Sequence, residues 1–351
     1  MGELLGLGLT HFPPLAWPDD QMDKALQFAF ADPSVPPAVK TGQDWPAGMR
    51  AEFDLDRLTA AAQHRAALVE GCDRIRAELD AFRPDVVVIW GDDQYELFRE
   101  DIVPAFCIVA SDQMTFRPWQ SASGAAIPNV WEESISEEFH LRGHAAFGRY
   151  LAASLLEDEI DVAYAYSPRA DRPFPHAVAN TTMFLDYHRT GFPYAVVPMT
   201  VNCYGRLAIG RRGGMVKFAP DGSAPLPDPP SPSPRRCISV GRAVARAAQA
   251  SDLRVALIAS SSWSHGFLHD AGWRMYPDTE SDRMYYDALV ANDLRPWHEA
   301  TLDTIEKSGQ QEMLNWFCLV GAVDEAGLAL EWSSYVETFI FNSNKCFAVF
   351  R

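Results

Sequence analysis

The chain has 351 residues, of which 48% are hydrophobic and 22% charged, and a formal net charge of −17. That length suits one large α/β domain or two small ones, and the composition is that of a soluble globular protein. The acidic balance excludes nucleic acid and anionic membrane surfaces as partners, although arginines in a cleft can still reverse the field for an anionic substrate. No apolar stretch approaches the ~20 residues that span a bilayer. Met1-Gly-Glu-Leu-Leu lacks a basic region followed by an apolar core, and Gly2 has no correctly spaced Ser or Thr. A cytoplasmic protein without signal peptide or lipid anchor is therefore expected. The six scattered cysteines (Cys72, Cys107, Cys203, Cys237, Cys318, Cys346) form no CxxC pair and read as reduced and buried.

In chain order, residues 3–9 predict a short apolar strand that runs into Thr10-His11-Phe12-Pro13-Pro14, where proline ends it. A long irregular segment rich in Pro and Trp follows, of the kind that covers a site. Residues 54–82 repeat apolar positions near 3.6 and predict a helix, with His64 on it and Pro84 after it. Val86 to Trp90 is a continuous apolar run that ends in Gly91-Asp92-Asp93-Gln94. Such a run reads as a strand buried on both faces, and strand–helix–strand makes a parallel pair. Residues 106–110 predict a strand, 112–135 a loop, 143–157 a helix opened by His144, and 160–166 a strand leading to Pro175-His176. A helix over 177–187 and a strand over 194–199 follow. Residues 219–236 are so dense in proline that neither helix nor sheet is expected, only a surface excursion. A helix over 237–250 and a strand over 253–259 lead to Ser264-His265. Residues 282–335 are mainly helical by pattern, and 336–350 supply one or two closing strands. The expectation is an α/β fold, one domain over 1–351, with a mostly parallel or mixed sheet flanked by helices and long loops over the strand carboxyl ends.

Ligands of open α/β sheets bind just outside those carboxyl ends. Four strand ends carry His11, Asp92-Asp93-Gln94, His176 and His265, with the acidic segment Tyr276-Pro-Asp-Thr-Glu280-Ser-Asp282 beyond. Two imidazoles and one carboxylate on one face of a metal are the ligand set of non-haem Fe(II) oxygenases, and a further unligated histidine suits proton transfer. Each residue also has a plain structural role open to it: a histidine at a strand end is more often a hydrogen-bonded structural residue than a ligand, and Glu280 in an acidic loop is usually just solvated. Gly6-Leu-Gly8 lacks the third glycine and the helix of a dinucleotide-binding turn.

Over roughly residues 5–350 the chain resembles the class III extradiol ring-cleavage dioxygenases, the family of the catalytic β subunit of protocatechuate 4,5-dioxygenase. The motifs are Gly6-Leu-Gly-Leu-Thr-His11-Phe-Pro, Pro84 to Gln94 with Pro104-Ala-Phe106, Gly143-His144, Pro175-His176 with Val201-Asn202, Ser264-His265 with Glu280-Ser-Asp282, and Met313 to Ala322. The resemblance implies a mononuclear non-haem Fe(II), O2 as co-substrate, a catechol-type aromatic substrate opened beside its two oxygens, and a homodimer or larger assembly. It implies His11 and Glu280 as metal ligands, His176 as the acid–base residue, His265 as catalytic and orienting, and His144, Asp93 and Gln94 at the substrate. The chain departs from the family where an Asn-Asp-His turn supplies the second iron-binding histidine, since Gln94 stands there. His64 is the first replacement to consider, His269 the second, and Gln94 itself, bound directly or holding substrate or water, the third. Two other readings stay open: the same fold with an altered metal site and a different oxidative or Zn-dependent hydrolytic substrate, and a metal-free binding protein.

Overall fold

The computed structural model describes residues 2–120, 124–208, 228–268 and 271–351. Among the described residues the strands in chain order are β1 (Glu3–Leu9), β2 (Val86–Asp92), β3 (Phe106–Val109), β4 (Gln113–Phe116), β5 (Phe139–Arg142), β6 (Ala163–Ala165), β7 (Val196–Val201), β8 (Arg254–Ser260), β9 (Leu330–Val336) and β10 (Lys345–Phe350). Eight form one sheet in the order β6-β3-β7-β2-β8-β1-β10-β9, and β4 and β5 form a separate antiparallel pair. The central strands β7, β2, β8 and β1 are mutually parallel, while β3 runs antiparallel to β7, β10 to β1, and β9 to β10. The expected mixed α/β sheet is thus what forms.

The longer helices are α1 (Arg57–Phe82), α2 (Ala145–Glu157), α3 (His176–Leu185), α4 (Pro234–Ala250), α5 (Thr279–Val290) and α6 (Leu314–Ala326). The alternation of side chains along the central strands distributes them to two cores. Val86, Val88 and Trp90 pack with α2, α4 and α6, whereas Val87 and Ile89 pack with α1 and α3. Every residue of β2 is buried, which explains why its sequence is apolar without alternation. Gly91 is needed for the approach of α3: a Cβ there would lie 2.9 Å from the Cβ of Ala177.

Several local expectations need correction. Residues 12–53 are not irregular throughout: they hold the short helices Lys24–Ala31, Pro37–Lys40 and Ala47–Phe53, with proline at or just before the start of the last two, where its missing N–H costs nothing. Residues 112–135 are not all loop, because β4 pairs across a long connection with β5. In the proline-rich segment, Pro234 to Arg236 already belong to α4, with Pro234 in its first turn and the Ser233 hydroxyl accepting from the Arg236 amide; residues 219–227 lie outside the described residues. All six cysteines are free and buried, as expected. No helix among the described residues is long and apolar enough to cross a membrane.

Candidate metal centre and active-site cleft

The carboxyl ends of β1, β2 and β8 are neighbours in the sheet, so residues far apart in sequence meet there. His11 follows β1 by two residues, and Pro13 and Pro14 turn the chain away at once. Its Nδ1 lies 3.0 Å from the Ser260 carbonyl at the end of β8. A carbonyl only accepts, so Nδ1 carries the proton and Nε2 presents its lone pair. That Nε2 faces two buried carboxylates, Asp92 Oδ1 at 3.5 Å and Glu312 Oε2 at 3.6 Å. Burial, and then the charge of His176, hold the His11 pKa well below the usual imidazole value, so His11 does not supply a proton to this gap.

Asp92 is the last residue of β2 and is fully buried; its Oδ2 has no hydrogen-bond partner, and its Oδ1 takes one bond at 3.4 Å from Asn315 Nδ2. Burial lifts its pKa to about 6, against the opposing charge of His176. Glu312 sits in the turn Gln311–Met313 that leads directly into α6. Burial, and next the charge of Asp92, push its carboxyl well above the ordinary range. Two buried carboxylates within 3.6 Å of one imidazole nitrogen are costly to keep charged unless a positive charge stands beside them. The His176 ring is one such charge, and a divalent ion held by the same groups would be another.

His176 opens α3 behind Pro175, whose backbone is already turned for helix entry. Glu96, from the turn after β2, accepts both the His176 backbone N–H, at 3.0 and 3.2 Å, and its Nδ1, at 3.0 and 3.1 Å. A carboxylate at a helix N-terminus is favoured in its own right. Burial works against a charged ring here, but Glu96, aided by Asp92 and Glu312, outweighs it and raises the His176 pKa to about 10. The His176 ring stands edge-on to His11, centroids 5.0 Å apart, and ligand atoms of His11, Asp92 and His176 all lie within 4.8 Å of one another. His265 completes the ring of residues: Nδ1 donates to the Trp263 carbonyl at 2.9 Å, and Nε2 lies 3.4 Å from Glu312 Oε1. Burial, then the nearby Lys345 ammonium, drive its pKa down to about 3. His176 also lines a cleft of about 700 Å³ with Glu96, Asn180, Phe116, Phe174 and Arg117. The Phe116 ring stacks between those of Phe139 and Phe174, 5.5 Å from each.

The structure brings His11, His176 and His265 together, and it does not bring Glu280. Glu280 is exposed in the first turn of α5. The carboxylates at His11 are Glu312 and Asp92 instead. Asp282, two residues on, is buried but already saturated by the Ser264 amide and hydroxyl, Gln310 and Asn344. His64 is also misplaced as a ligand. It is buried on α1, stacked on Phe341 at 4.7 Å and edge-on to Phe12 at 6.0 Å, beside Lys345 rather than a carboxylate. His144 is the N-cap of α2, its Nδ1 accepting from the Phe147 amide at 3.1 Å. Asp93 caps the turn after β2, accepting from the amides of Glu96, Leu97 and Phe98, and Gln94 is half-buried in that turn and not among the residues that line the cleft. His269 lies outside the described residues. Sequence reading missed Glu312, Glu96 and the role of Asp92. The available signals were a lone acid directly before a long apolar helix, and a strand whose last buried residue is the aspartate.

The fold and site thus define an α/β protein with a histidine–carboxylate centre at the carboxyl edge of its sheet. Residues 226–348 match the family model described as the catalytic LigB subunit of aromatic ring-opening dioxygenase. The resemblance read from the sequence, to class III extradiol dioxygenases, is borne out by that match and by the relatives, and the family implies a metal cofactor and O2. The 2,3-dihydroxyphenylpropionate/2,3-dihydroxicinnamic acid 1,2-dioxygenase of Paraburkholderia phymatum is 28% identical over 200 residues, 57% of this chain and 49% of that protein. The gallate dioxygenase of Pseudomonas putida is 28% identical over 187 residues, 52% of this chain and 46% of that protein. The chain spans about half the length of these relatives.

Proposed function

We propose that the protein is an Fe(II)-dependent extradiol dioxygenase that opens a catechol-type ring with O2. The observation that carries this reading is the convergence, at the carboxyl edge of the sheet, of the His11 Nε2 lone pair with the buried carboxylates Asp92 and Glu312, with His176 beside them. The donors, one imidazole and two carboxylates where the sequence predicts two imidazoles and one carboxylate, still suit a divalent ion such as iron or manganese, and the Ser260 carbonyl fixes the His11 tautomer as ligating histidines require. The relatives' names, which specify dihydroxy aromatic acids and gallate, support a catechol-type substrate.

The chemistry an iron held by His11, Asp92 and Glu312 would supply is a common site for both ring oxygens and O2 and electron transfer between them. The chain's own residues do the rest. Phe174, backed by the stacked Phe116, offers an apolar ring along the cleft on the side where His176 is partly exposed. His176 is anchored through Nδ1, so its Nε2 is the atom free to exchange a proton with a ring hydroxyl. Because Glu96 raises its pKa to about 10, the ring carries a proton at Nε2 at neutral pH, so His176 first meets the substrate as a proton donor and can then take the proton back. His265 gives its Nδ1 proton to the Trp263 carbonyl and so offers the site its Nε2 alone. The buried strand ends keep bulk water from the centre.

The experiment is anaerobic reconstitution with Fe(II), followed by catechols under air. The reading expects about one iron per chain, one O2 consumed per ring, and a yellow semialdehyde product. Stoichiometric iron with no O2 uptake across a panel of catechols would overturn it.

A further inference from the structure

Glu312 has two oxygens with different surroundings. Oε2 faces His11 Nε2 at 3.6 Å, while Oε1 is met by the hydroxyl of Tyr204 and lies 3.4 Å from His265 Nε2. Tyr204 belongs to neither the metal cluster nor the wall of the cleft beside His176. It is 4% exposed, three residues past the end of β7, and its hydroxyl has Glu312 as its hydrogen-bond partner. Its own position is pinned where the chain leaves the sheet. The Ser231 hydroxyl donates to the Cys203 carbonyl at 2.8 Å, and the Gly205 amide donates to Asn202 Oδ1 at 3.2 Å. Gly205 has φ +38°, and a Cβ there would lie 2.2 Å from the Ser231 nitrogen, so the two chain segments touch at this neck. A phenol held this way is not there to fill space alone.

We propose that Tyr204 is a positioning residue for the metal centre: by binding Oε1 it fixes the Glu312 carboxylate so that Oε2 is the oxygen offered to the ion. This rests on the reading of Glu312 as a ligand. A carboxylate rotates freely about its last torsion, so without the phenol both oxygens could swing between His265 and the ion. Ligating carboxylates are held by such outer hydrogen bonds, whose loss weakens metal binding by about 10–100-fold. His265 does not replace the hold, because its Nδ1 is bound to the Trp263 carbonyl and its Nε2 lies 3.4 Å from Oε1, longer than an ordinary hydrogen bond.

The test uses the whole chain with Co(II) as a spectroscopic probe and Fe(II) under anaerobic conditions. Tyr204→Phe removes only the hydroxyl. It is expected to raise the Kd for both ions by about 10–100-fold, to change the Co(II) visible spectrum, and to leave the unfolding temperature of the ion-free protein within about 3 °C. Ser231→Ala, which loosens the neck and keeps the phenol, should move the spectrum in the same direction by less, and serves if Tyr204→Phe does not fold. Glu312→Gln separates the two claims. If it abolishes tight binding and Tyr204→Phe adds nothing in that background, the clamp acts through Glu312 as proposed. If Glu312→Gln abolishes binding but Tyr204→Phe leaves Kd within twofold and the spectrum unchanged, the positioning role falls and the ligand reading stands. If Glu312→Gln binds both ions as wild type does, both fall.

Discussion

Replacing Glu96 by glutamine tests the electrostatics of the site without touching a proposed ligand. Glu96 holds His176 by four contacts of 3.0–3.2 Å, two to the ring and two to the backbone amide, and its charge is the main reason the His176 pKa rises to about 10. An opposite charge about 4 Å away is worth about 4 kcal/mol at an effective dielectric constant of about 20. At 1.36 kcal/mol per unit, that is about 3 pKa units. The ring borders the cleft, and screening there brings the expected fall to about 2 units, so that His176 in Glu96→Gln should titrate near 8. The assay is NMR of the imidazole C–H signals in the ion-free protein across pH 5–11. The sign for stability follows. A raised histidine pKa stabilises the fold fully below the unfolded value of about 6.5, and that contribution is lost as pH rises toward about 10. Wild type should lose stability over that window and Glu96→Gln should lose less. A His176 pKa unchanged by the substitution would refute the reasoning.

Other outcomes follow from the same geometry. Glu280→Ala should leave metal affinity within twofold, because the side chain is exposed; equilibrium dialysis with Fe(II) checks it. His64→Ala should keep the metal and lose about 2–4 kcal/mol of stability in urea unfolding, from the cavity left beside Phe341 and Phe12. Asp282→Ala strands the buried donors of Ser264, Gln310 and Asn344 and should cost about 3–5 kcal/mol or prevent folding; soluble yield and unfolding curves decide. Phe174→Ala should raise KM for a catechol more than it lowers kcat, since it removes an apolar face rather than a proton donor or ligand.

The parts of the sequence that were legible are those where one physical signal dominates. The run Val86 to Trp90 reads as a strand buried on both faces because turn residues bound it, and α1 carries a clear helical period. His11 and His265 were readable because the turn residues after each strand placed them at the sheet's ligand edge. Asp92 was misjudged for a related reason. The strand extends two residues beyond its apolar run, so the inward-facing acid is Asp92, while Asp93 turns back to cap the loop. Glu312 escaped notice because α6 is buried through Val323 and shows no face to which an acid would belong. Glu280 looked right by spacing, but the helix that starts at Thr279 directs it to solvent. The β4–β5 pair joins segments some 20 residues apart without a short-turn signal, and the helices between 24 and 53 are too short for periodicity to show.

The central claim is that His11, Asp92 and Glu312 jointly hold one catalytic ion. Anaerobic Fe(II) titration of wild type, His11→Ala, Asp92→Asn and Glu312→Gln, with O2 uptake on a catechol measured from the same samples, tests it most directly. The account predicts about one iron per chain and O2 consumption in wild type, with both reduced at least 100-fold in each variant. Full iron binding and undiminished O2 uptake in any of the three variants would contradict it.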